Sequence, residues 1–95
     1  MSSLPSHREP FHPGIILLEE YLEPLGISQR QFAQHIGWTP AQLNEIIKGK
    51  RGITHKTALE LADVLDTTPQ FWLNMQQAYD LWHAKKNHVP KPKWA

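Results

Sequence analysis

Apolar residues recur along most of this chain at intervals of three and four, the spacing of helices with one buried face. A first helix is predicted from Ile15, closed by Pro24 and Gly26; its apolar residues are Leu17, Leu18, Tyr21, Leu22 and Leu25. Thr54 is a suitable N-cap for a later helix, and Pro69 suits the first turn of the last one. Two further helices are predicted between the first helix and the one capped by Thr54, so the pattern predicts five helices.

The two middle helices have paired start signals. Ser28 stands three residues before Gln31, and Thr39 stands three residues before Gln42, as in a capping box. Pro40 occupies a first-turn position, where its missing N–H has no cost. Two short helices are therefore predicted to begin at these points, separated by a tight turn.

Glycine and the apolar stripes define how this pair folds. Gly37 lies between the two helices and Gly49 follows the second, where left-handed residues permit sharp turns. One stripe contains Phe32, Ala33 and Ile36, and the other contains Leu43, Ile46 and Ile47. Turned away from the second stripe are Pro40, Ala41, Gln42, Asn44, Glu45 and Lys48. This geometry is typical of a helix-turn-helix, whose second helix enters the major groove of DNA.

Charge is segregated, although the net charge is only +1. Between Ser28 and Lys56 the only acid is Glu45, and the bases are Arg30, Lys48, Lys50, Arg51 and Lys56. An ordinary helical hairpin fits the helix spacing equally well, but this basic surface favours binding to phosphates. The segment Gly49–Gly52 is predicted to form a basic loop, and it also fits a helix C-cap with solvated charges.

The predicted domain organisation is a flexible N-terminal arm at residues 1–11, a helix-turn-helix domain for DNA binding and dimerisation at 12–84, and a basic, disordered tail at 85–95. A chain of 95 residues with 40% apolar content suits one small binding domain. It contains no cysteine, and its six histidines do not follow metal-binding spacing. We therefore expect no enzymatic activity, cofactor or metal. We also expect a cytoplasmic protein, since no membrane-spanning run or secretory signal is present.

The last helix carries more large apolar side chains than one face of a small bundle normally buries. Four of them, spaced by three or four residues, form a candidate dimer interface: Trp72, Met75, Tyr79 and Trp82. The alternative is that these residues complete the domain's own core. A two-fold dimer would place two recognition helices in successive major grooves.

Several short motifs resemble known families. Ser28-Gln29, Phe32-Ala33, Ile36-Gly37, Leu43-Asn44 and Gly49-Lys50 resemble the signature of the lambda-repressor-like, XRE-type helix-turn-helix family. More specific are His12-Pro13-Gly14, the run Gly49–Thr54, and Trp72–Gln76 followed by Tyr79-Asp80-Leu81. Together these are similar to the HigA (VapI-type) antitoxins, over about Phe11 to Trp82. The chain departs from the family pattern at Ile15, where Glu is usual, and at Gly52, where a second Arg is usual.

The resemblance implies an all-α, five-helix, lambda-repressor-like domain with its helix-turn-helix at helices 2 and 3. It implies a homodimer that binds double-stranded operator DNA upstream of its own operon and neutralises a HigB-type toxin, a messenger-RNA endonuclease. Gln29, Arg30, Lys50 and Arg51 would meet phosphates, and Thr39, Pro40, Ala41, Gln42, Asn44, Glu45 and Lys48 would face the groove. Two alternatives stay open from sequence: a solitary regulator without a toxin, and an inhibitor that binds only protein.

Overall fold

The computed structural model describes residues 8–94, which form five helices and contain no strand. Helix α1 begins as an α-helix at Pro13–Ile16 and continues as a π-helix at Leu17–Leu22. The others are α2 at Gln29–Ile36, α3 at Pro40–Ile47, α4 at His55–Leu65 and α5 at Pro69–Lys86. The predicted five-helix, all-α architecture is confirmed.

The predicted start signals of α2 and α3 are present, but they differ in completeness. At α2, Ser28 Oγ accepts the Gln31 N–H at 3.1 Å and the Gln31 side chain accepts the Ser28 N–H at 3.0 Å. At α3, Thr39 Oγ1 accepts the Gln42 N–H at 3.1 Å, and Pro40 occupies the first turn. The capping box is therefore complete at α2, whereas at α3 the hydroxyl cap is combined with proline.

All five helices contribute to one hydrophobic core. Its fully buried residues include one or more from each of α1, α3, α4 and α5: Leu17, Leu22, Leu43, Ile46, Ala58, Leu61 and Trp72. The predicted stripe of α3 is buried, as are Phe32 and Ala33 of α2, so the faces expected from the sequence are confirmed. The core therefore holds α2 and α3 by their inner faces and leaves their outer faces exposed.

The π-helical turn of α1 changes which of its leucines are buried. Leu17 and Leu22 are both fully buried, and i→i+5 hydrogen bonding brings residues five apart closer to one face than an α-helix does. Leu25 was predicted to share the apolar stripe, but it is 62% exposed. It lies in the turn that follows α1, where Gly26 has a φ of 67°.

The described part of the arm lies against α5. Glu9 Oε2 is 2.8 Å from His83 Nε2. Pro10 and Trp82 together line a shallow groove between the arm and α5. The prediction for residues 1–7 lies outside the described residues. Helix α5 continues beyond residue 84 to Lys86, and residues 88–94 have no regular secondary structure. Within residues 8–94, no helix is long and apolar enough to cross a membrane.

Candidate nucleic-acid interface

The outer face of α3 carries most of the residues predicted to contact DNA. Pro40, Ala41 and Lys48 are exposed, as is the capping residue Thr39. Gln42, Asn44 and Glu45 are partly exposed, while the opposite face of the helix is in the core. A short helix whose polar side is free and whose apolar side is held by the protein body has the geometry needed to enter a major groove.

The start of α2 lies beside α3 rather than apart from it. Asn44 Nδ2 donates a hydrogen bond to Gln29 Oε1 at 3.4 Å, which links residues from the two helices. Arg30, the next residue of α2, is exposed. The fold therefore brings Gln29, at the start of α2, next to the outer face of α3.

The basic loop, Gly49–Gly52, continues directly from the end of α3. Gly49 has a φ of 75°, and its N–H donates to the Ile46 carbonyl at 3.0 Å. The Lys50 N–H donates to the Glu45 carbonyl at 2.8 Å. This is the hydrogen-bond pattern of a Schellman motif, so the helix C-cap interpretation of the loop is correct for its backbone. Both charged side chains of the loop are nevertheless exposed.

Two of the predicted DNA contacts pair with each other. Arg51 donates to Glu45 Oε1 from Nε at 3.0 Å and from Nη2 at 2.7 Å. The other bases of this surface, Arg30, Lys48, Lys50 and Lys56, are exposed. Glu45, the only acid between Ser28 and Lys56, is paired with Arg51. The surface therefore keeps an excess of positive charge, as phosphate binding requires.

The His12-Pro13-Gly14 motif supports the end of the recognition helix. His12 Nδ1 accepts the Gly14 N–H at 2.9 Å, which caps α1, and Pro13 follows in the first turn. Gly14 packs on the backbone of α3: a Cβ at this position would overlap the Ile46 carbonyl oxygen and would lie 2.9 Å from the Ile47 Cα. Only glycine permits α1 to approach α3 this closely.

Burial also affects the titration of His12. Its ring packs edge-on against Tyr79, with centroids 4.8 Å apart, and the residue is only 8% exposed. Desolvation lowers the pKa of His12 below its ordinary value, and the nearby Asp80 carboxylate opposes part of that shift. The neutral ring is the form that suits its role as an acceptor for Gly14.

Trp38 anchors the turn of the helix-turn-helix, a role that sequence reasoning missed. It is 7% exposed, packs edge-on against Phe32 and donates from Nε1 to Glu60 Oε1 of α4 at 2.8 Å. A large aromatic residue directly after a turn glycine was the available signal. These contacts hold the turn on α4 and on α2.

The candidate dimer residues do not share one surface. Trp72 is fully buried and donates from Nε1 to Thr67 Oγ1 at 2.7 Å, so its assignment to a dimer interface is corrected: it belongs to the protomer's core. Met75, Tyr79 and Trp82 are partly buried. Tyr79 faces inward toward His12, because it lies on the same side of α5 as Trp72 and Gln76.

Among residues 8–94, no group of three or more His, Asp or Glu side chains is placed to hold a metal ion. Four clefts in the described part are open and have volumes between about 390 and 650 Å³. The outer face of α3 with its neighbouring bases therefore remains the candidate site.

Comparisons with known proteins agree with this geometry. The helix-turn-helix family model HTH_3 matches residues 18–72. Virulence-associated protein I of Dichelobacter nodosus is 47% identical over 80% of this chain and 70% of its own length. Antitoxin HigA-1 of Vibrio cholerae is 36% identical over 92% of this chain and 82% of its own.

A solved structure extends the likeness to three dimensions. The structure of Pseudomonas aeruginosa antitoxin HigA with the higBA promoter superposes with a TM-score of 0.79 and 34% identity. The match covers 87% of this chain and 97% of that one. The chain therefore belongs to the HTH_3 helix-turn-helix family, in the group that includes the HigA antitoxins and virulence-associated protein I.

Proposed function

We propose that this protein is a DNA-binding antitoxin of a type II toxin-antitoxin pair, which represses its own operon as a homodimer. The observation that carries the proposal is the outer face of α3, which is exposed or partly exposed and is flanked by Lys48, Lys50 and Arg51. A protein that binds only other proteins has no need of such a surface. The similarity to a HigA antitoxin whose structure includes promoter DNA supports the same conclusion.

Roles for the individual residues follow from their positions. Gln29 and Arg30 at the start of α2, with Lys50 and Arg51 in the basic loop, contact the phosphate backbone. Thr39, Pro40, Ala41, Gln42, Asn44, Glu45 and Lys48 face the groove. Pro40 and Ala41 have no side-chain donors, so base reading depends on Gln42 and on apolar contact with thymine methyl groups.

Dimerisation occurs through a lateral side of α5, beside its buried face, where Met75 also packs against the core. Met75 and Trp82 lie on this side together with Phe71, which is 38% exposed, and with the exposed Ala78. These four residues follow a spacing of four, three and four, as along the seam of a coiled coil. Pairing of two copies sets their recognition helices about 34 Å apart, one turn of DNA.

The second half of the proposal is neutralisation of a HigB-type messenger-RNA endonuclease in the cytoplasm. Similarity to HigA-1 over most of both chains supports it. The function requires this chain to bind, and no reaction is proposed for it. The open reading frame next to its gene is expected to encode a small ribonuclease-like protein.

Two experiments test the proposal separately. Fluorescence anisotropy with a duplex from upstream of the operon and with a random duplex, at several salt concentrations, measures specific binding; equal affinity for both would contradict autorepression. Co-expression with the adjacent reading frame measures neutralisation through growth. Restored growth supports the antitoxin role, whereas specific DNA binding without any effect on growth indicates a solitary regulator.

A further inference from the structure

The basic loop is attached to the protein at two ends, and the second attachment comes from α5. Its first end is fixed to α3, through the hydrogen bonds from Gly49 and Lys50. Where the loop leads into α4, the Ile53 N–H donates to Gln76 Oε1 at 2.7 Å. Lys50 and Arg51 thus lie between an anchor on their own helix and an anchor on α5.

Gln76 is built into the fold as a buried polar residue. It is 8% exposed, and its Nε2 donates to Asp80 Oδ1 one turn further along α5, at 2.9 Å. Its carboxamide therefore uses the acceptor on the loop and the donor on the helix. A buried glutamine is uncommon unless its amide oxygen and its amide nitrogen both form hydrogen bonds, because desolvation of an unpaired amide is costly.

Gly52 makes the contact between loop and glutamine close. A Cβ at Gly52 would lie 3.1 Å from the Cδ and Nε2 atoms of Gln76. The loop backbone therefore rests directly on the carboxamide, and the neighbouring Ile53 side chain is in the core at 5% exposure. The position of the loop is consequently set by Gln76 as well as by the end of α3.

We propose that Gln76 is a positioning residue for DNA binding: it holds the loop so that Lys50 and Arg51 meet the phosphate backbone. This inference rests on the proposed function. It also gives a physical role to the segment Trp72–Gln76 and to Asp80, which join the helix proposed for dimerisation to the loop proposed for phosphate contact. Gln76 itself does not contact DNA.

The decisive experiment is a double-mutant cycle between Gln76→Leu and Lys50→Ala, measured by DNA titration at several salt concentrations. Gln76→Leu removes both hydrogen bonds, and Gln77→Leu, at an exposed position next to it, is the matched control. We expect Gln76→Leu to make the dependence of log affinity on log salt less steep by ~1.8, the contribution of two phosphate contacts, while Gln77→Leu leaves it unchanged. Lys50→Ala should make the salt dependence less steep in the wild-type background. It should have no such effect in the Gln76→Leu background, where the contact is already lost.

A rescue separates positioning from a general loss of stability. Gln76→Glu keeps the acceptor for Ile53 but places two carboxylates together, so it should weaken DNA binding. Adding Asp80→Asn supplies an amide that donates to Glu, and the double variant should recover the wild-type slope. Hydrogen exchange at the Ile53 amide should be protected in the wild type and in the double variant, and faster in Gln76→Leu.

The outcomes are distinguishable. Additive effects of Gln76→Leu and Lys50→Ala on the salt slope would overturn the positioning role while the DNA-binding function stands. A protected Ile53 amide in Gln76→Leu would overturn it as well, because the anchor would then be dispensable. If the wild type binds no duplex, the proposed function fails, and with it the inference that depends on it.

Discussion

Arg51 Nη2 lies 2.7 Å from Glu45 Oε1, so two residues of the proposed DNA-binding surface form an ion pair with each other. Their side chains are 51% and 45% exposed. An exposed pair of this kind contributes little to folding, on the order of 0–1 kcal/mol. Its main effect is on the charge that DNA meets, because Glu45 offsets part of the positive charge that Arg51 presents to a phosphate.

Glu45→Gln is expected to strengthen binding to every duplex and to steepen its salt dependence, by less than one full phosphate contact. The substitution removes an acid from the surface and leaves Arg51 free. Anisotropy titrations with cognate and random duplexes at several salt concentrations measure this, with Glu20→Gln on the exposed side of α1 as the charge-matched control. Weaker binding would mean that Glu45 holds Arg51 in its productive position.

Backbone contacts and base contacts should respond differently to mutation. Lys50→Ala or Arg51→Ala should weaken binding to all duplexes alike and reduce the salt slope by about one contact. Gln42→Ala should cost on the order of 1–3 kcal/mol on the cognate operator and much less on random DNA. The same titrations compare the two classes, and identical behaviour would refute the assigned roles.

The proposed dimer seam is tested by placing charge on two of its residues, Ala78 and Trp82. Tyr79 is unsuitable for this test, because it packs on His12 and its replacement would disturb the fold. Ala78→Glu with Trp82→Glu is the better pair, and we expect it to give a folded monomer, since burying carboxylates in a symmetric interface is costly. Sedimentation and circular dichroism measure this, with Gln77→Glu as control. A mutant pair that remains dimeric would place the interface elsewhere.

Gly14→Ala should destabilise the domain by ~1–3 kcal/mol or more, because a side chain there overlaps the backbone of α3. Gly26→Ala is the comparison: it has open space but a φ of 67°, so its cost should come only from the left-handed backbone, roughly 1–2 kcal/mol. Urea unfolding measures both. Under conditions in which both variants are fully folded, only Gly14→Ala should also weaken DNA binding, because it displaces the recognition helix α3.

Stability should depend on pH through His12. Burial lowers the folded-state pKa below the ordinary value of 6.5, so the unfolded chain binds the proton more readily. The contribution of neutral His12 to the free energy of unfolding is fully present above pH 6.5. It is lost as the pH falls through the lower pKa of His12 in the folded state. His12→Asn keeps a capping oxygen for Gly14 but does not titrate in this range. Chemical unfolding across this range should show a shallower pH dependence in the variant, and equal dependence would assign the effect to another group.

Local signals in the sequence were sufficient to predict five helices, the helix-turn-helix and the side of α3 that faces outward. Ser28, Thr39, Gly37 and Gly49 act within their own turns, and the left-handed φ of 85° at Gly37 follows from residues beside it in sequence. The apolar stripes are equally local, since helical periodicity alone brings their members to one face. Such features are independent of how the helices later pack.

Contacts between distant segments were decided only by the tertiary structure. The sequence marked Gln76 and His12 as parts of motifs, but the hydrogen bond from Ile53 to Gln76 joins residues 23 apart. Trp72 lies among large apolar residues of α5, and only the packing of α1 and α4 against that helix determines that it is core while Trp82 is partly exposed. Periodicity tells which residues share a face of one helix, whereas burial depends on which other helix covers that face.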